Sequence, residues 1–123
     1  MEEHRELMTF DIISCIETIE HIADYQRVLD FIKRLCKKGK KGEVLEPPFA
    51  TAVFISTPNR NSDSINKVQP NNMYHVREWA GSEFYELLTK QFKYVVLMDW
   101  KGNPVDGDTK ETPIFAKCEV PML

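Results

Sequence analysis

Glycine and cysteine are scarce in this chain, at five and three of 123 residues, and long apolar runs are missing altogether. Each absence removes a class of function. With so little glycine there is no G-x-G-x-x-G, no G-x-x-x-x-G-K-[ST] and no G-x-S-x-G, so the commoner phosphate-cradling loops and nucleophile elbows are excluded. Cys15, Cys36 and Cys118 are an odd number at wide spacings with no C-x-x-C step, which excludes a zinc ribbon or a disulfide framework and predicts reduced, buried thiols. His4, His21 and His75 are dispersed and no H-E-x-x-H occurs, so no metal-ligand set and no cofactor is assigned. The longest apolar run, Tyr94 to Met98, is far short of a membrane span, and the start Met1-Glu2-Glu3-His4 is acidic where a secretory leader is basic. These features predict a soluble chain in a reducing, cytoplasmic compartment.

What is present suits a packed domain. Hydrophobic residues make up 42% and aromatic residues 11%, enough for one core over residues 1–123 without staples. Net charge is −3, unevenly spread: residues 1–32 hold eight acids against Arg5 and Arg27, whereas residues 33–41 hold six bases and no acid.

Periodicity then places the elements. Residues 7–17 fit a strand, with Ile13 and Cys15 opposite Phe10, Ile12, Ser14 and Ile16, and also fit a helical stripe. From Thr18 or Asp24 to Lys38, Tyr25, Val28, Leu29, Ile32, Leu35 and Cys36 recur at helical spacing. The cations at its end oppose the helix dipole, and Gly39 offers a left-handed stop. Phe49–Thr57 reads as a buried strand entered through Pro47-Pro48, and 58–72 as a mobile loop. Met73–Trp79 alternates like a short edge strand, and Ser82 is placed to cap a helix with Phe84 or Tyr85, Leu87, Leu88 and Phe92 on its face. Tyr94, Val96 and Met98 against Val95 and Leu97 give a strand apolar on both faces, expected at the middle of the sheet. Lys101–Glu111 has loop composition, and Ile114, Ala116 and Cys118 begin a last strand.

The expected fold is therefore α+β: a small, mainly antiparallel sheet of four to five strands with two or three helices on one face. If residues 7–17 are a strand, the order is ferredoxin-like, β-α-β-β-α-β-β.

Three functional readings follow, none with a catalytic residue assigned. The first is a non-enzymatic protein-binding or regulatory domain acting through a surface on Tyr74, Arg77, Trp79 and Tyr85, with a homodimer through edge-strand pairing as one form. The second is a nucleic-acid binder using Lys33, Arg34, Lys37, Lys38, Lys40 and Lys41, helped by Arg60 and Lys67, since clustered cations release counterions from a phosphate backbone. The third is a small enzyme or ligand-binding fold with an acid-rich loop at Asp99, Asp106 and Asp108.

Overall fold

The computed structural model describes residues 8–61 and 78–122. His4, Lys67, Tyr74, His75 and Arg77, most of the 58–72 loop and all but the end of the expected strand Met73–Trp79 lie outside them.

The first segment resolves as strand β1, Ile12–Ile16, because its β-branched residues pack on a pleated sheet better than on a helix. Glu17, at φ 52°, ends it, and a turn of 3₁₀ helix at Ile19–His21 drops Ile19 into the core. Helix α1, Tyr25–Arg34, buries Leu29 and Ile32 as its spacing predicts. It stops before the expected Gly39: Leu35 N donates to Phe31 O and Ile32 O, and Gly39 is extended at φ −74°. The left-handed turn is made further on, by Lys41 and Gly42, because Gly39 N instead closes the loop by donating to Glu43 O at 2.7 Å.

Strand β2 runs Ala52–Thr57, helix α2 Gly81–Thr89, strand β3 Phe92–Met98 and strand β4 Ile114–Pro121. Ala80, and not Ser82, occupies the N-cap of α2; Glu83 reaches back to accept its N–H at 2.9 Å. Gly81 is required by close approach, since a Cβ there would lie 2.6 Å from Gly107 O in the loop between β3 and β4.

The sheet order is β1-β2-β4-β3, with β1 and β2 parallel and β4 antiparallel to both β2 and β3. This is the expected α+β class, with four strands and mostly antiparallel pairing among the described residues. Two expectations are corrected. A split βαβ plan inserts a strand between β1 and β2, whereas here they are direct neighbours. Tyr94–Met98 lies in β3 at a sheet edge, not in the middle; β2 and β4 are the central strands. Apolar residues on both faces of β3 suggested cover on both sides, yet Tyr94 and Val96 are exposed.

The covered face carries the rows Ile13–Val53–Cys118–Val95 and Cys15–Ile55–Ala116–Leu97. Leu29 and Ile32 of α1 and Phe84 and Leu88 of α2 join them in one core. All three cysteines are buried and free. Among the described residues no helix is long and apolar enough to cross a membrane.

Candidate functional site

Side chains alternate across a pleated sheet, so packing both helices on one face leaves the other to the even-numbered residues of β1 and their partners. Reading the register across the four strands gives three rows: Ile12–Ala52–Glu119–Tyr94, Ser14–Phe54–Lys117–Val96 and Ile16–Ser56–Phe115–Met98. Ser14, Ser56, Lys117 and Glu119 among these are polar, with Lys117 Nζ 3.9 Å from Glu119 Oε1, and the Tyr94 hydroxyl donates to Glu46 Oε1 at 2.9 Å. Towards the two edges the apolar members are open: Ile12 is 67%, Ile16 46%, Val96 44% and Tyr94 41% exposed. Phe10 and Met8, just before β1, are exposed as well. This is a contiguous apolar surface with no helical layer over it among the described residues.

Among the described residues no strand pairs with the outer edge of β1. Asp11 O accepts from Ala52 N and Glu17 N donates to Ser56 O, each at 3.0 Å, so the odd-numbered residues of β1 turn their main-chain groups to β2. In a parallel ladder the alternate residues, Ile12, Ser14 and Ile16, turn theirs the other way, towards the free edge. An apolar face and an unpaired parallel edge therefore meet along one five-residue strand.

At the carboxyl ends of β1 and β2 a second group of side chains converges. Glu17, in the left-handed region at φ 52°, is held there by Ser56, whose Oγ accepts its N–H at 3.1 Å. Glu20 is fully buried: Oε1 accepts from Thr57 Oγ1 at 3.3 Å, while Oε2 stands 3.5 Å from His21 Nε2 and accepts no hydrogen bond among the described residues. Asn59 is buried and used up structurally, donating to Thr109 O and Glu111 O and accepting from Asn61 N. Arg60 pairs with Glu83 at 2.8 Å; the Ala80 N–H bond, with Arg60 beside it, holds the Glu83 carboxyl below its ordinary range.

The described residues among those singled out from sequence fall in separate places. Trp79 packs edge-on to Tyr25 at 5.6 Å and tilted against Phe84 at 6.2 Å, a structural position between α1 and α2. Tyr85, one residue past the buried Phe84, is exposed beside a cavity of about 380 Å³ lined by Val95, Val96, Pro104 and Asp106. The basic block is divided. Lys33 Nζ donates to Gln91 Oε1 at 2.8 Å and Met122 O at 3.2 Å, and Lys37 pairs with Asp11 at 2.7 Å. Arg34 lies over the Phe31 ring at 5.7 Å, and Lys38, Lys40 and Lys41 extend beyond the helix. Asp99 closes its own loop, its Oδ1 accepting from Lys101 N and Asn103 N, and among the described residues no group of three or more His, Cys, Asp or Glu is arranged around a metal position.

Ile12, Ile16, Tyr94 and Val96 form the largest feature that the sequence reading placed elsewhere. Their signal, apolar residues on both phases of a strand, is shared by a strand buried on both sides and by one whose second face waits for cover. Comparison with protein-family models, with curated proteins and with solved structures found no match to this chain.

Proposed function

We propose that this chain is a protein-binding α+β module that docks a complementing strand and helix along β1 and over the open face of its sheet. The observation that carries the reading is the exposed pair Ile12 and Ile16 on β1, whose outer edge has no paired strand among the described residues, with Tyr94 and Val96 exposed on the same face at the far edge. All-parallel sheets are covered on both faces because their crossovers place helices there, whereas both helices here pack in one core on one face. Fully burying an isoleucine is worth about 1.5–3 kcal/mol, part of which Ile12 and Ile16 would contribute to a partner that covers them. A second copy pairing antiparallel through β1 is the weaker occupant, since it brings Asp11 of each chain towards Glu17 of the other. The surface differs from the one first expected at Tyr74, Arg77, Trp79 and Tyr85, and the nucleic-acid reading is weakened because Lys33 and Lys37 are already held by neighbours.

Affinity capture from nuclease-treated source-cell extract tests this, comparing wild type with Ile12→Lys/Ile16→Lys/Val96→Lys. Partners retained by wild type are expected to be lost from the triple variant at unchanged melting temperature. Partners kept by that variant but lost from Lys38→Glu/Lys40→Glu/Lys41→Glu, or released by nuclease, would replace the reading with the nucleic-acid one.

A second reading concerns a small-molecule ligand at the carboxyl ends of β1 and β2, where open α/β sheets place their binding crevices. Two observations favour it: the left-handed backbone at Glu17 and the buried Glu20 carboxylate with an oxygen that accepts no hydrogen bond among the described residues. A complementing segment beside β1 would supply the second wall of that crevice. Glu20→Gln in the assembled complex should abolish ligand binding while leaving assembly intact; loss of assembly alone would make Glu20 structural.

A further inference from the structure

The basic block, divided as it is, borders a cavity of about 410 Å³ between the end of α1 and the loop that follows it. Its walls are apolar: Cys36, Val44, Leu45, Ala50, Pro121 and Met122. The Lys41–Gly42 turn, with φ of 57° and 78°, folds Val44 and Leu45 back over it, and the Gly39 N to Glu43 O bond fixes that turn. At about 30 Å³ per water-sized group, the space holds about a dozen such groups, within the range of a small-molecule site.

Charge decides what class of molecule fits. Of the cations lining the cavity, Lys33 and Lys37 are committed to Gln91, Met122 and Asp11. Arg34 and Lys38 have no carboxylate partner among the described residues. On the acidic side, Asp30 stands 3.6 Å from Lys33 and accepts from Gln26, leaving Glu43 as the opposing charge. A cationic rim alone would suit a bare phosphate or a nucleic-acid backbone, but neither fills an apolar chamber. A purely apolar ligand would leave Arg34 and Lys38 unanswered.

We propose that this cavity binds an anionic amphiphile, an unbranched alkyl carboxylate of medium length, with its tail against Val44, Leu45, Ala50 and Met122 and its head between Arg34 and Lys38. The site lies apart from the open sheet face and stands independently of the protein-binding reading.

Calorimetric titration of the full chain with decanoate, below its micelle concentration, tests the proposal against decanol, which has the tail alone, and acetate, which has the head alone. Saturable one-to-one decanoate binding is expected, with decanol at least tenfold weaker, since one charge-assisted contact accounts for about that factor, and acetate at least tenfold weaker because it lacks the alkyl tail that the apolar walls bury. Arg34→Glu/Lys38→Glu should weaken decanoate at least tenfold and leave decanol unchanged, while Val44→Trp, at an exposed position, should weaken both. Should the charge reversal lower the melting temperature, Arg34→Gln/Lys38→Gln makes the same comparison. Decanol binding as tightly as decanoate, no effect of charge removal, or no saturable binding would each overturn the proposal. Retention on phosphatidylserine vesicles without binding of free decanoate would overturn it too, by assigning the cations to a membrane surface.

Discussion

The two faces of one sheet both carry branched aliphatic residues, with Ser14, Ser56, Lys117 and Glu119 added on the face away from the helices, and those aliphatic residues meet opposite fates. On one, Ile55, Val53 and Cys118 are fully buried beneath α1 and α2; on the other, Ile12, Ile16 and Val96 stand open. What separates them is not hydrophobicity but which face the connections cross. Both helices lie on the same side of the sheet, and the antiparallel hairpin of β3 and β4 adds strands without adding a layer. An apolar side chain is thus a stabilising element on one face and exposed surface on the other.

Identical substitutions on the two faces sharpen this contrast most. Ile55→Ala removes a fully buried side chain and should cost about 2–5 kcal/mol in denaturant unfolding, whereas Ile12→Ala should cost under about 1 kcal/mol. Equal losses would break the comparison and imply that the second face is covered. Gly81→Ala comes next: its Cβ would meet Gly107 O, and shifting that backbone should cost about 1–3 kcal/mol, with Ser82→Ala as a near-silent neighbour.

The covered face also contributes a pH dependence. Burial pushes the Cys36 thiol from its ordinary 9.0 up to about 11, against an opposing pull from Lys38, and burial raises Cys118 further. A thiol raised on folding stabilises fully below the unfolded value and loses that contribution as pH rises through the folded one. Stability should therefore be flat to pH 9 and fall towards pH 11, with about 2–3 kcal/mol of the fall from Cys36 and more from Cys118, and Cys36→Ser should reduce the fall without removing it. Alkylation of the native chain should be slow at all three thiols.

The smallest effect lies away from both faces. Glu83→Gln weakens the cap on α2 and the pair with Arg60, and should cost about 0.5–1 kcal/mol because that carboxyl is half exposed. Its carboxyl is depressed in the folded chain, so the contribution is present above the ordinary 4.5 and disappears as pH falls below it; the variant should show no such acid loss.

Much of the covered face was legible from local pattern. The period of α1, the alternation of β2 and β4, and the phase of Ile13 and Cys15 against Ile12 and Ile16 each follow from spacing alone, because alternation and helical period are local geometry. The position of β3 was not, nor was the interaction surface. Tyr94–Met98 looked central because a strand's apolar residues record only that both sides disfavour water, not whether both are yet covered. Trp79 reads as a binding anchor and packs against Tyr25 and Phe84, and an aromatic residue reads the same from sequence in a hot spot and in a core.

By itself the sequence determined the reduced buried thiols, the absence of the common glycine-rich phosphate and nucleophile motifs, and the identity and internal phase of most elements, all of which rest on residue type and spacing within a few turns of chain. The strand order, the open edge at β1, the division of the basic block and the chamber beside Arg34 and Lys38 were decided only in three dimensions. They depend on which distant segments meet, and the free energy of those meetings is shared among residues as far apart as Cys15, Ile55 and Ala116.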